Sequence, residues 1–181
     1  MKAGRILARA RLYARDMQGA KFSDYEVYSA VNDAVRVLAQ EAMRSMAGTD
    51  FRRACELDTS AAGHALLPEG FLREIRAFDG VDGNELLLVH TDEAGDGEYS
   101  IKGELLFSGC ASVTLCYFGL PAEVRAPEDV LGVSEAMAQS VAKSAAALLI
   151  GSDSGAVQAA QYFTGQNVAA SDGASSGSEQ S

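Results

Sequence analysis

Histidine, cysteine and paired carboxylates are the side chains with which a chain does acid–base, nucleophilic or metal chemistry, and here they are few and scattered. The two histidines, His64 and His90, each stand alone among strand-like residues. A metal ion needs further ligands at close spacing, and none lies near either histidine in sequence. Both read as ordinary strand or rim residues. The three cysteines, Cys55, Cys110 and Cys116, are odd in number and form no C-x-x-C pair, which argues against a disulfide framework and a structural zinc site. Cys110 and Cys116 fall in an apolar stretch, where a thiol serves more often as a small core hydrophobe than as a nucleophile. The carboxylate pairs Asp92/Glu93 and Glu128/Asp129 sit in glycine- or proline-bounded loops. Acid–base work needs one carboxyl shifted by burial, and a loop pair is more often solvated charge. No phosphate-binding loop, strand-bound G-x-G-x-x-G or G-x-S-x-G elbow is present. The expectation is a non-enzymatic protein with no catalytic, metal or cofactor residues; an enzyme with an unrecognised carboxylate site is kept as an alternative.

The remaining chemical candidates are the cations of the first segment. Lys2, Arg5, Arg9, Arg11 and Arg15 surround an apolar stripe of Ile6, Ala10, Tyr13 and Met17 at helical spacing. Arginines on a helix can grip phosphates, so a DNA-binding accessory module using this helix is a second alternative. Against it, no aromatic stacking platform accompanies the cations, and Tyr13 falls on the apolar stripe. Charge is also polarised along the chain. Residues 1–53 hold ten Lys/Arg and six Asp/Glu, a balance of +4, and the rest holds five and nineteen, a balance of −14. The acidic body disfavours wrapping nucleic acid. The polarity reads either as two solvated faces or as a means for copies to pack basic on acidic.

These residues must be positioned by a fold of ordinary composition: 181 residues, 48% hydrophobic and 22% charged, suit one domain with its own core. The longest apolar run, Ala145–Ile150, is far shorter than the roughly 20 residues that span a bilayer, and no secretory leader is read at the start, so no membrane partner is expected. The first helix is predicted over 2–17, ended by Gly19. Ser23-Asp24-Tyr25-Glu26 is a capping box, and a long helix should follow to 47, burying Tyr28, Val31, Val35, Leu38 and Ala42, with Gly48 as its stop. The period then changes to two. Strands are predicted at 52–57, 64–67, 72–78, 85–90, 98–101, 104–107 and 112–118, with Asp79-Gly80, Asp82-Gly83-Asn84, Gly95-Asp96-Gly97, Lys102-Gly103 and Ser108-Gly109 as turns of an antiparallel meander. Helical period returns over 129–150, with Leu131, Val133, Met137, Val141, Ala145 and Leu148 inward, and Ser152-Asp153-Ser154 can cap a last helix to Phe163.

The fold class is thus α+β: a helical bundle (2–47 and 129–163) with an inserted antiparallel β-sandwich or open barrel at 51–119, one domain over 1–163. The segment 164–181, rich in serine and poor in large apolar residues, is expected to be a disordered tail.

The order of these elements resembles the head-to-tail adaptor (connector or neck) proteins of tailed bacteriophages, and particular phrases match. Leu7–Asp16 followed by Phe22-Ser23-Asp24, and Val31-Asn32-Asp33-Ala34-Val35, look like the family's opening. Leu67-Pro68-Glu69-Gly70-Phe71 with Ile75, Phe78 and Gly80 is similar to its leucine-proline, strand and glycine-turn phrase. Val113–Tyr117, Leu120-Pro121, Leu131 and Ala147-Leu148-Leu149 look like its closing strand and helix. The resemblance spans about residues 4–150, and each motif alone is common. It implies a structural protein that assembles with itself into a ring, dodecameric in expectation, between the portal protein and a tail or tail-tube protein. DNA would pass through the channel without specific binding. The place implied is the virion neck, and the host cytoplasm during assembly. Arg5, Arg9 and Arg15 on the first helix, and Gln166, Asn167 and Ser171 in the tail, are the candidate portal or subunit contacts.

Overall fold

The structure, a computed structural model, describes residues 1–46, 48–91 and 94–151. The chain is α+β: the described residues form three α-helices, a short 3-10 turn at Thr49–Phe51 and two sheets, one antiparallel and one mixed. It divides into two compact units: Met1–Asp50 with the chain from Ala122 onward, and Phe51–Pro121. The expected last helix at 153–163 and the tail at 164–181 lie outside the described residues. Among the described residues no helix is long and apolar enough to cross a membrane.

In the first unit α1 (Ala3–Tyr13), α2 (Asp24–Ser45) and α3 (Glu135–Ile150) pack on one another. The capping box of α2 is formed as the sequence indicates: Ser23 Oγ accepts from the Glu26 amide, and Glu26 Oε2 accepts from the Ser23 amide at 2.7 Å. Its inward face carries Val31, Val35, Leu38 and Ala42 as expected, widened by Val27, Ala30, Ala34 and Ala39; Tyr28 is only half-buried. The helix ends on Met46, in the left-handed region at φ 51°, two residues before the expected Gly48.

Two helix boundaries differ from expectation. α1 stops at Tyr13 instead of 17, and α3 starts at Glu135 instead of 129. Ser134 caps α3 by accepting from the Met137 amide, while its own amide and hydroxyl donate to Asp50. Residues 129–133 lie outside any helix and run along the start of α1, with an isolated bridge between Lys2 and Val130: the Ala3 amide donates to the Asp129 carbonyl at 2.7 Å, the Gly4 amide to Pro127 at 2.8 Å, and the Leu131 amide to Met1 at 2.9 Å. Leu131 is buried as expected, but from this strap and not from a helix. Within α3, Met137, Val141 and Ala145 face inward with Ala138, Ala142, Ser144 and Ala146, whereas Leu148 is half-buried. Small side chains on this face let neighbouring helix backbones approach closely.

Asn32 ties the returning chain to α2. Its carboxamide accepts from the buried Val124 amide at 2.9 Å and donates to the Val124 carbonyl at 3.0 Å, as a strand neighbour's backbone would. Arg36 adds ion pairs to Asp33 at 2.8 Å and Glu123 at 2.5 Å. The Val31–Val35 phrase thus owes its polar members to this clamp.

The second unit contains all seven expected strands: β1 (Arg52–Asp58), β2 (His64–Leu66), β3 (Phe71–Asp79), β4 (Leu87–Leu88), β5 (Glu98–Lys102), β6 (Leu105–Ser108) and β7 (Ser112–Gly119). They are not a meander. β7 lies between β1 and β3, antiparallel to both, and the second sheet runs β2-β6-β5-β4 with β4 parallel to β5. Expected strand 85–90 shrinks to two residues because its chain changes sheets. Phe78 bridges Glu85 and the Leu86 amide bonds the Ala77 carbonyl, after which Leu87 and Leu88 pair with Glu98 and Tyr99. One core serves both sheets: Ala77, Val113, Leu115 and Tyr117 from the first meet Leu86, Tyr99 and Leu106. The two leucine-proline phrases also meet here. Gly70, at φ 74°, holds the turn before β3, and a Cβ there would stand 2.8 Å from the Leu120 carbonyl oxygen.

Candidate interaction surface at the end of the first helix

A helix must satisfy its last carbonyls and its successor's first amides, and in this chain one charged pair organises both. Arg15 takes a left-handed backbone (φ 56°) after the last turn of α1, so the chain leaves the helix axis before Met17. Asp16 turns inward and is 3% exposed. Its Oδ1 accepts from the Ala20 and Lys21 amides at 2.8 and 2.9 Å, and its Oδ2 from the Phe22 amide at 3.1 Å and Arg11 Nη1 at 2.8 Å. Arg11 also donates to the Phe22 carbonyl at 2.9 Å and to Asp24 at 2.6 Å. The Lys21 amide, opposed by burial and helped by the Phe22 and Ala20 amides and by Arg11, holds the Asp16 carboxyl below its ordinary value. With every lone pair directed at a donor and the proton lost, Asp16 is a structural anion and not a base. Gly19, at φ 66°, passes close over the Arg11 guanidinium.

This knot fixes residues 14–23 and turns apolar side chains outward. Leu12 is 50% exposed, Met17 75% and, on the first turn of α2, Tyr25 81%; Tyr13 is also exposed. The expected burial of Tyr13 and Met17 is therefore corrected, because the helix that would have carried Met17 inward ends four residues earlier. A groove of about 510 Å³ is lined by Leu12, Met17, Gln18 and Ala20, with Arg15, Asp16 and Lys21 among its walls. Neither of these cations makes an ion pair among the described residues. Leu12 and Met17 share this groove, and exposed apolar side chains that cluster are a feature of association surfaces.

The candidate contact residues are divided by this geometry. Arg15 lines the groove. Arg5 is exposed on α1 and makes no ion pair among the described residues. Arg9 is engaged with Glu135 of α3 at 2.6 Å, so it stabilises helix packing instead of standing free. Gln166, Asn167 and Ser171 lie outside the described residues. Leu12, Lys21 and Tyr25 are not among the expected contacts, and spacing places Met17 on the buried stripe instead of the surface. The usable signal was Phe22-Ser23-Asp24 after an Arg11/Asp16 pair, which marks a tied loop.

The other chemical candidates are accounted for locally. His64 tilts against Phe107 with ring centroids 5.4 Å apart, and His90 is exposed. Burial, with Cys116 nearby, pushes the Cys55 thiol up, away from the reactive thiolate. Asp129 accepts from the Arg125 and Ala126 amides at 2.7 and 2.8 Å and closes the loop before the strap. Asp92 and Glu93 lie outside the described residues. Among the described residues, no group of three or more His, Cys, Asp or Glu could hold a metal ion. No family model matches the chain, and no curated protein matches it in sequence.

Proposed function

We propose that this chain is a structural assembly protein that forms a ring between the portal and the tail of a tailed bacteriophage and extends the DNA channel. In this reading the three helices act as the bundle of an adaptor and the two sheets as its small inserted sandwich. The observation that carries it is the end of the first helix, where the Arg11–Asp16 knot ties the loop and Leu12, Met17 and, on the first turn of α2, Tyr25 stand exposed. Such a surface suits docking to protein, and the order of helix pair, β insertion and closing helix supports the adaptor class.

The phrases behind the resemblance have local structural reasons here, namely the Arg11–Asp16 knot, the Asn32 clamp and the Gly70–Leu120 contact. The acidic remainder of the chain suits a channel through which DNA slides, since like charge weakens phosphate binding. The DNA-binding alternative is weakened because Arg9 and Arg11 are already paired with carboxylates.

Co-sedimentation with a portal protein from the same source tests the proposal. The chain is expected to travel with portal rings, and Met17→Glu or Tyr25→Glu to reduce that about tenfold without changing the melting curve, as loss of an interface anchor does. A gene neighbourhood without portal, capsid and tail genes, or a chain that never sediments with portal, would overturn it.

A further inference from the structure

The groove beside α1 has a complementary feature on the other unit of the same chain. The turn after β3, Asp79-Gly80-Val81-Asp82-Gly83-Asn84, projects Val81 at 76% exposure with the exposed Asp82 beside it. It is stiffly built. Asp79 Oδ1 accepts from the Val81 amide at 2.7 Å and the Asp82 amide at 3.3 Å, the Gly80 amide bonds the Ser112 carbonyl at 2.9 Å, and the Gly83 amide bonds the Asp79 carbonyl at 2.9 Å. A Cβ at Gly80 would strike the Ser112 side chain. The result is a preformed apolar tip with an anionic flank. The groove is its converse: Leu12, Met17 and Ala20 supply apolar lining, Asp16 is already neutralised by Arg11, and Arg15 and Lys21 make no ion pair among the described residues.

We infer that the Val81–Asp82 turn of one copy seats in the Leu12–Met17 groove of a second copy, with Asp82 facing Arg15 and Lys21. Charge complementarity selects this occupant. The first 53 residues carry +4 and the remainder −14, and the turn and the groove belong to opposite sides of that divide. Because tip and groove are different surfaces, the contact is head-to-tail. Repeated around a closing rotation, it builds a ring. One turn in one groove covers far less than the roughly 1,200 Å² of a stable interface. The contact is therefore weak between free copies and becomes populated when copies are concentrated or held side by side. The inference rests on the reading that copies of this chain assemble; it does not depend on portal or tail.

Crosslinking with a short bismaleimide tests it. Chains with Cys55, Cys110 and Cys116 changed to alanine, one kind carrying Met17→Cys and the other Val81→Cys, are mixed at high concentration. The 17–81 dimer should form at least about tenfold above a Met17→Cys and Leu66→Cys control mixture, position 66 being similarly exposed but on β2 and not on the turn. Lys21→Glu should reduce the yield, Asp82→Lys should reduce it likewise, and the two reversals placed on facing copies should restore it. The same reversals in chains with native cysteines, followed by sedimentation equilibrium, should weaken self-association and rescue it in the same pattern. A 17–81 yield equal to the control, reversals without effect, or a chain carrying both cysteines that closes the bond within itself would each overturn the inference. A chain that binds portal rings yet gives no 17–81 dimer loses this contact alone. A chain that gives the dimer but ignores portal keeps the contact and loses the adaptor reading.

Discussion

At the scale of residues, the account turns on Asp16. It was legible only as one acidic residue near the end of a basic helix, and its work depends on three amides that spacing does not bring to it. Its folded pKa lies below the 3.8 of the free side chain, so the unfolded chain binds the proton more readily. The sign follows: its stabilisation is complete above that ordinary value and is lost as pH falls through the folded value. Asp16→Asn should remove this part of the acid dependence of unfolding. It should also raise hydrogen exchange at the Ala20, Lys21 and Phe22 amides by about tenfold or more, because charge-assisted bonds are lost. Unchanged exchange at these amides would mean that the loop is held by something else. Met17 shows why the sequence misleads here: its position continues the helical stripe faithfully, and only the left-handed Arg15 takes the chain off that axis.

At the scale of elements, periodicity located the three described α-helices and the seven described strands, because the change from period 3.6 to period 2 follows burial directly, and missed the 3-10 turn at Thr49–Phe51. The stripe of α2 is the clearest case. Leu38, 3% exposed, should cost about 2–5 kcal/mol as Leu38→Ala, read as a lowered unfolding midpoint. A midpoint within error of the parent would mean that another face of the helix carries the core. Boundaries and partners were less legible. Ser134 capped α3 later than the apolar pattern suggested, and the 129–134 strap paired with the start of α1 over a separation no local rule sees. β4 failed as a full strand because its chain leaves one sheet for the other, a non-local event. The Asn32 clamp is similar, a polar residue beside a buried stripe whose use appears only when Val124 returns to it. Asn32→Ala leaves both Val124 backbone groups unpaired and should cost roughly 1–3 kcal/mol in denaturant melts, while Asp33→Ala, at an exposed pair, should cost well under 1 kcal/mol. Equal costs for the two would remove the clamp's special role.

At the scale of the whole molecule, the sequence supplied the charge division and the order of elements, and with them the adaptor resemblance. The surface that would do the docking was not legible in full, since the exposure of Met17 is set by where α1 ends and not by its chemistry. Of the candidate contacts, Arg15 falls on that surface, Arg9 is spent on Glu135, and Arg5 remains exposed on the helix. An assembly reading places the function in these faces and in their repetition, so association must depend on ionic strength where Arg15 and Lys21 take part. Electron micrographs of the full chain incubated with a portal protein from the same source test the proposed function most directly. The account predicts an added ring of density on one face of the portal, coaxial with the channel, that is lost with Met17→Glu. Portal rings that look the same with and without the chain, at concentrations where both are folded, would contradict it.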